Sequence, residues 1–390
     1  MIDASKLAAW YAHRQGLDGS LQGASAAEVL ERTGWARSVG GVSPYLTLFS
    51  RAGVNREQAD AAAAKLEIYE LPSARSCTYV LPASDFALGL KLAQAFPGEM
   101  KTAEKLGVTA KEIAKLCDTV LKALEKGPLE PDELRQAAGK AVRNLGENGR
   151  KMGLTTTLPV ALGHLQTQSD IRRVPVNGRF DIQRYRYALW RPNPLRGFKL
   201  SAEEANTELA RRFFTWAAPA YVDEFQSFLG LGVKAAKAAV KPLKLEPLAS
   251  DDQRLFLPGD RAKFEAFRPP KDPQYALLGS IDSLFLLRRD LRSLLDPKDL
   301  GRTSRSDLSE LPDHAITDRG RIVGLWEYDT ATESIAWTSF IQKDKALLAA
   351  IARTEQFVKE QLGDARSFGL DSPKSRAPRV EALRKAAATA

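Results

Sequence analysis

One pattern recurs three times along this chain and restricts its fold more than any other feature. It runs helix, turn, helix, turn, helix, then two short strands. The clearest copy covers residues 109–190. Thr109 and Glu112 have the spacing of a capping box. Ile113, Leu116, Val120, Leu121 and Leu124 then share one helical face. Gly127-Pro128 ends that helix, and Pro131 opens a second that runs to Ala138. The polar stretch Asn144–Gly153 reads as a loop, and Leu158–Gln168 as a third helix. Ile171–Val176, the turn dipeptide Asn177-Gly178 and Arg179–Trp190 then read as a β-hairpin. In its second strand Tyr185, Tyr187 and Leu189 alternate with Arg184, Arg186 and Ala188, which gives one aromatic and one largely basic face.

That order is the order of a winged helix, a helix-turn-helix followed by a hairpin wing. An earlier copy starts at Ser25 and Glu28, a capping box for Ala26–Arg32. Pro44–Ser50 and Arg56–Lys65 follow as helices, the latter capped by Asn55. Leu66–Leu71 and Cys77–Leu81 form the hairpin. A later copy has helices at Ala202–Trp216, Tyr221–Leu229 and Val233–Val240, with Leu243–Leu248 and Arg254–Leu257 as its wing. Pro269-Pro270 and Pro273 mark a boundary. Beyond it come Tyr275–Leu287, a polar loop over 299–312, strand-like Arg321–Tyr328 and Ser334–Phe340, and a helix Lys343–Leu362. The expected domains are 1–100, 101–200, 201–262 and 263–365, the last of them β-rich, with 366–390 a basic, mobile tail whose last stretch is compatible with a short helix.

Charge points the same way. The chain carries 57 Lys and Arg against 48 Asp and Glu, a net charge of +9. Residues 151–200 hold nine of the basic and two of the acidic residues, so +7 of that excess falls on the third helix and wing of the central unit. This is the part of a winged helix that meets phosphate. Arg172, Arg173, Arg179, Arg184 and Arg186 are the expected phosphate contacts, because a guanidinium grips phosphate through a planar fork. The expected partner is double-stranded DNA.

Other classes are disfavoured. Cys77 and Cys117 cannot make a disulfide framework, read best as small buried hydrophobes, and with three scattered histidines give no metal-ligand spacing. No Walker motif, membrane span or secretory signal is visible. A cytoplasmic, nucleoid-associated protein without metal, cofactor or nucleotide is expected. It is expected to be monomeric, since three units in one chain remove the usual need to dimerise.

The phrases Gly34-Trp-Ala-Arg-Ser-Val-Gly, Ile171-Arg-Arg-Val-Pro, Arg184-Tyr-Arg-Tyr and Arg319-Gly-Arg-Ile-Val-Gly-Leu-Trp-Glu resemble the bacterial winged-helix DNA-binding family that includes the AlkZ-like, crosslink-repair DNA glycosylases. The resemblance spans roughly residues 5–365. It implies an α+β fold of three tandem winged-helix units plus a small β-barrel-like C-terminal domain. It also implies hydrolysis of the N-glycosidic bond of alkylated bases. Enzymes of that family carry a Gln-x-Gln or Gln-x-Asp pair early in the chain, which holds a water and stabilises the cationic sugar. The matching place here is Trp35-Ala36-Arg37. Tryptophan cannot orient water as a carboxamide does, and a permanent cation opposes an oxocarbenium ion.

The remaining candidates carry two readings each. Trp35 stacks on a base or packs in the first unit's core. Arg37, beside Ser38, contacts phosphate or makes a surface ion pair. Gln166-Thr167-Gln168 is a literal Gln-x-Gln, but it lies in the second unit, where a DNA-contact or structural role fits better than catalysis. His13 and Asp282 are the catalytic candidates, against a structural histidine and a loop cap. A non-catalytic DNA-damage or architectural binder and a transcription regulator stand as the alternatives to a glycosylase.

Overall fold

Local capping starts the first helices of this computed structural model, which describes residues 3–302, 311 and 313–389. Asp3 caps α1 (Ala4–Arg14) and Ser25 caps α2 (Ala26–Thr33), each accepting a backbone N–H of the first turn. β1 is the short Ala36–Arg37. α3 (Ser43–Ala52) has proline in its first turn and stops at Gly53, φ 71°. A reciprocal Asn55–Gln58 box opens α4 (Arg56–Ala64). β2 (Ile68–Pro72) and β3 (Thr78–Pro82) complete an antiparallel sheet with β3 in the middle.

Two connecting helices, α5 (Phe86–Ala93) and α6 (Met100–Lys105), lead to the next run. It contains α7 (Ala110–Leu124), α8 (Pro131–Ala138), α9 (Gly146–Lys151), α10 (Leu158–Thr167) and the hairpin of β4 (Ile171–Pro175) with β5 (Tyr185–Leu189). A further run has α11 (Ala202–Ala217), α12 (Val222–Leu229), α13 (Val233–Val240), then β6 (Glu246–Ala249) paired with β7 (Asp252–Phe256). After α14 (Asp260–Ala266) come β8 (Tyr275–Leu278), α15 (Ser283–Leu286), β9 (His314–Asp318), β10 (Arg321–Asp329) and β11 (Ser334–Ser339). α16 (Lys345–Phe357) runs into a wider turn, Val358–Leu362, and α17 (Pro373–Thr389) ends the chain.

The structure departs from the sequence reading in five places. The polar stretch 144–153 contains α9. Asn177-Gly178 is not a two-residue turn, because residues 179–184 leave the hairpin: Phe180 is buried in the core around Tyr45, and its N–H donates to the Tyr45 hydroxyl at 3.0 Å. β9 was not expected, and the polar loop before it lies largely outside the described residues. The expected barrel is, among the described residues, an open four-stranded sheet in the order β11-β10-β9-β8, with no pairing between its outer strands. Four strands are too few to enclose a core, since a filled barrel takes about eight; α16 and α17 lie against the sheet instead. Residues 373–389, read as a tail with at most a short helix in its last stretch, are one helix, held to the sheet by the buried Arg376 between Glu327 (3.1 Å) and Asp364.

Strand alternation divides the interior. Ala36, Ile68 and Val80 face one core with α2–α4 and α16, while Trp35, Tyr69, Leu71, Tyr79 and Leu81 face another with α11 and α12. α7, α8 and α10 enclose a third, smaller core. The two large cores are joined by Arg51, whose side chain is fully buried and grips Asp282 with both terminal nitrogens, at 2.8 and 2.7 Å. No helix among the described residues is long and apolar enough to cross a membrane.

Truncating Asp282 to alanine strands that guanidinium in the interior. A loss of about 3–5 kcal/mol is expected, measurable by urea denaturation; a loss near zero would mean that the pair is not a structural link.

Candidate nucleic-acid interface

The segment that leads into β1 is set by Gly34, φ 106°, which ends α2 where an added Cβ would stand 3.3 Å from the Trp216 ring. Trp35 is therefore turned inward. It is 3% exposed, its Nε1 donates to Asp85 Oδ2 at 2.8 Å, and its ring meets Trp216, Tyr79 and Phe228. Asp85 is itself buried and lies 2.8 Å from Arg212; burial raises its carboxyl pKa, against the Trp35 hydrogen bond and Arg212. Arg37 lies over the Tyr79 ring at 5.2 Å. One of its terminal nitrogens is buried with no hydrogen-bond partner among the described residues, and burial lowers its pKa. Ser38 emerges on the opposite face of the sheet, where its hydroxyl donates to Glu70 Oε1 at 2.5 Å.

The arginines read as phosphate contacts have distinct surroundings. Arg172 is half-buried and donates to the Tyr69 hydroxyl at 2.9 Å. Arg173 lies over the Tyr185 ring at 5.2 Å and hydrogen-bonds Tyr187, while its buried Nε has no partner among the described residues. Arg179 is held by Asp181 and the Leu362 carbonyl (3.2 Å), so it braces the docked loop. Arg184 is exposed and 3.3 Å from Glu130. Arg186 is exposed with no ion pair among the described residues, as are Arg191, Arg196 and Lys199 just beyond β5.

Gln166 is buried, its Nε2 donating to the Leu162 carbonyl at 3.1 Å. Gln168 accepts from Gln94 at 3.3 Å. Both line a cleft of about 720 Å³ between the β2–β3 hairpin, residues 93–100, α10 and the β4–β5 hairpin. His13 sits 2.6 Å from Asp18, against the Trp10 and Phe267 rings. Asp282 accepts the Leu284 N–H at 2.9 Å and so caps α15. The structure thus brings Gln166, Gln168 and Arg173 to one cleft and leaves His13, Asp282 and Trp35 elsewhere. Among the described residues no His, Cys, Asp and Glu side chains group as metal ligands.

Two features escaped sequence reasoning. Glu70, only 8% exposed, reaches the same cleft as the glutamines. Burial is the main cause that raises its carboxyl pKa, opposed by Ser38, Arg173 and Tyr185. The legible signal was its parity with the apolar Ile68 on one strand. The second feature is an exposed row of Lys234, Lys237, Lys241 and Lys244 along and after α13, none with an ion-pair partner among the described residues. Helical spacing alone would have shown the first three on one face.

These elements define a mixed α/β protein whose helical runs each end in a hairpin, with basic side chains exposed on and after two of them. The sequence model of the AlkZ-like DNA glycosylases matches residues 39–368, and the chain belongs to that family. The match begins just after Trp35–Ser38. Among solved structures, the DNA glycosylase AlkZ of Streptomyces sahachiroi has the same fold: TM-score 0.69 at 19% identity, covering 94% of this chain and 98% of that one. No curated protein sequence matches.

The raised pKa of Glu70 has a consequence for stability. The folded state holds its proton above the ordinary carboxyl value of 4.5, where the unfolded chain has released it. The stability present below that value is therefore lost as pH rises through the folded-state pKa. Glu70→Gln, neutral throughout, should gain on the parent protein as pH rises from acid toward neutral. Urea denaturation over that range checks this; a parallel pH dependence for both proteins contradicts it.

Proposed function

We propose that this chain is a duplex-DNA-binding protein of DNA repair, built on three winged-helix units, in which the family's base-releasing pair is replaced by Trp35-Ala36-Arg37. The observation that carries the binding half is the set of free cations on the second hairpin and just beyond it. Arg186, Arg191, Arg196 and Lys199 are exposed and have no acidic partner among the described residues. Cations left without partners on one element favour phosphate, which offers charge-assisted and bidentate contacts. The lysine row of α13 extends the same chemistry to the third unit. Arg172, Arg173 and Arg179, each engaged inside the protein, support the hairpin in this reading more than they touch phosphate. Arg184, exposed beside Glu130, is available at the rim.

The catalytic half rests on the residues at the pair's position. A buried indole committed to Asp85 and a guanidinium beside Tyr79 offer neither a carboxamide nor a carboxylate for a water or a sugar cation. Asp282 does not replace them in this reading, since both its oxygens are engaged by Arg51. A dimeric operator-reading regulator is less favoured, because three units in one chain need no two-fold partner. The protein is proposed to act as a monomer, in the cytoplasm and on the nucleoid.

The binding half is tested by salt titration with an undamaged duplex. Log affinity should fall with log salt by about 0.9 for each phosphate neutralised. The double variant Arg186→Ala, Arg191→Ala should flatten the slope by about 1–2 and weaken all duplexes alike. An unchanged slope would exclude the hairpin as the phosphate-binding element.

A further inference from the structure

Arg37 differs from the other arginines of the interior. Those with a buried, unpartnered nitrogen are short only at Nε, whereas Arg37 leaves a terminal nitrogen without a partner among the described residues. Its side chain makes no hydrogen bond or ion pair there and rests over the Tyr79 ring instead. Register sets Arg37 opposite Tyr79, and the next residue, Ser38, donates its N–H to the Thr78 carbonyl at 3.0 Å. β1 therefore runs toward the turn that joins β2 and β3, and Arg75 stands in that turn.

Backbone geometry holds Arg75 in place. Its φ is 58° and that of Ser76 is 57°, a left-handed pair that is uncommon for such residues. The turn lies so close to the end of α12 that a Cβ on Gly230 would stand 2.7 Å from Arg75 Cα. The Arg75 side chain is exposed and, like Arg37, has no acidic partner among the described residues. The two cations act on each other. Burial lowers the Arg37 pKa, Tyr79 opposes this, and Arg75 adds to the lowering.

A guanidinium stays charged in a protein, so Arg37 cannot relieve its position by giving up a proton. A half-buried cation beside a second cation is offset only by an anion. A phosphodiester carries a single charge. A phosphate monoester carries about −1.5 to −2 near neutral pH and has three strong acceptor oxygens. Two neighbouring guanidiniums without acids match the monoester. Each offers a planar fork of donors to its oxygens.

We propose that Arg37 and Arg75 form a site for the terminal phosphate of a DNA strand, the monoester left at a gap or break. The site rests on the duplex-binding reading, which brings a strand end to this edge of the sheet. On that reading the place of the family's base-releasing pair holds a strand end.

The full chain is titrated by fluorescence anisotropy against labelled duplexes of one sequence, each interrupted by a one-nucleotide gap. The gap margins carry a 5′-phosphate, a 3′-phosphate or hydroxyls only. At least one phosphate-bearing gap should bind about tenfold tighter than the hydroxyl gap. In Arg75→Asn, whose short neutral side chain tolerates the left-handed backbone, that ratio should fall to about 1–2. Arg37→Gln should lower it equally. Equal binding of all three gaps, or a gain that survives in either variant, would overturn the site. Failure to bind any duplex, gapped or intact, would overturn the duplex-binding reading as well, whereas binding without a phosphate gain defeats the site alone. Should a variant not fold, competition on the unaltered protein decides. Replacing chloride by inorganic phosphate at constant ionic strength should abolish the gain, and an unchanged gain overturns the assignment.

Discussion

Arg51 and Asp282 stand 231 positions apart in sequence, and the rest of the molecule is arranged around their contact. The guanidinium also donates to Gln15 and Ser283, each at 3.0 Å, and to the Thr47 carbonyl at 3.3 Å. Gln15 in turn donates to the carbonyls of Thr33 and Trp216. One buried cluster therefore fixes α1, the end of α2, α3, α11 and the start of α15 against one another. Every member has a polar partner, and of the Arg51 guanidinium only Nε makes no hydrogen bond among the described residues. Satisfied in this way, the cluster contributes mainly by excluding other arrangements of the same segments. Broken on one side, it leaves an uncompensated charge.

That cluster also determines how the chain runs from Thr33 into β1. Thr33 and Trp216 are both held by Gln15, and the backbone between Thr33 and β1 must turn at Gly34 against the Trp216 ring. The turn sends Trp35 toward Asp85 and the aromatic core shared with α11 and α12. Alternation then places Arg37 on Trp35's side of the sheet and Ser38 on the other, where it meets Glu70. The two faces of one small sheet thus have separate chemistries. One is an aromatic core with a confined cation; the other opens toward a polar cleft shared with the second helical run.

Much of this was legible locally. Caps at Ser25, Asn55 and Thr109 and helical periodicity located the main helices, because those signals depend on neighbours a few residues away. The hairpins were legible from alternation. What sequence could not supply were the long-range choices. Phe180 leaves its hairpin because a pocket beside Tyr45 takes it. β9 is a buried strand carrying Thr317 and Asp318, without the apolar alternation that would mark it. Residues 373–389 resemble a tail by composition, yet Arg376 finds Glu327 and Asp364. In the candidate site, Gln166, Gln168 and Arg173 were singled out without the carboxylate that accompanies them. Arg179 was read as a surface contact because its partner Asp181 pairs with it only once the loop docks.

The central proposal is that this protein binds duplex DNA without releasing an alkylated base, because Trp35-Ala36-Arg37 offers neither a carboxamide nor a carboxylate. The direct measurement is single-turnover incubation of excess protein with a duplex carrying N7-methylguanine, scoring abasic sites by alkali cleavage while binding is followed in the same tube. The account predicts saturated binding with cleavage at the spontaneous rate. Cleavage above that rate on the bound duplex would contradict it.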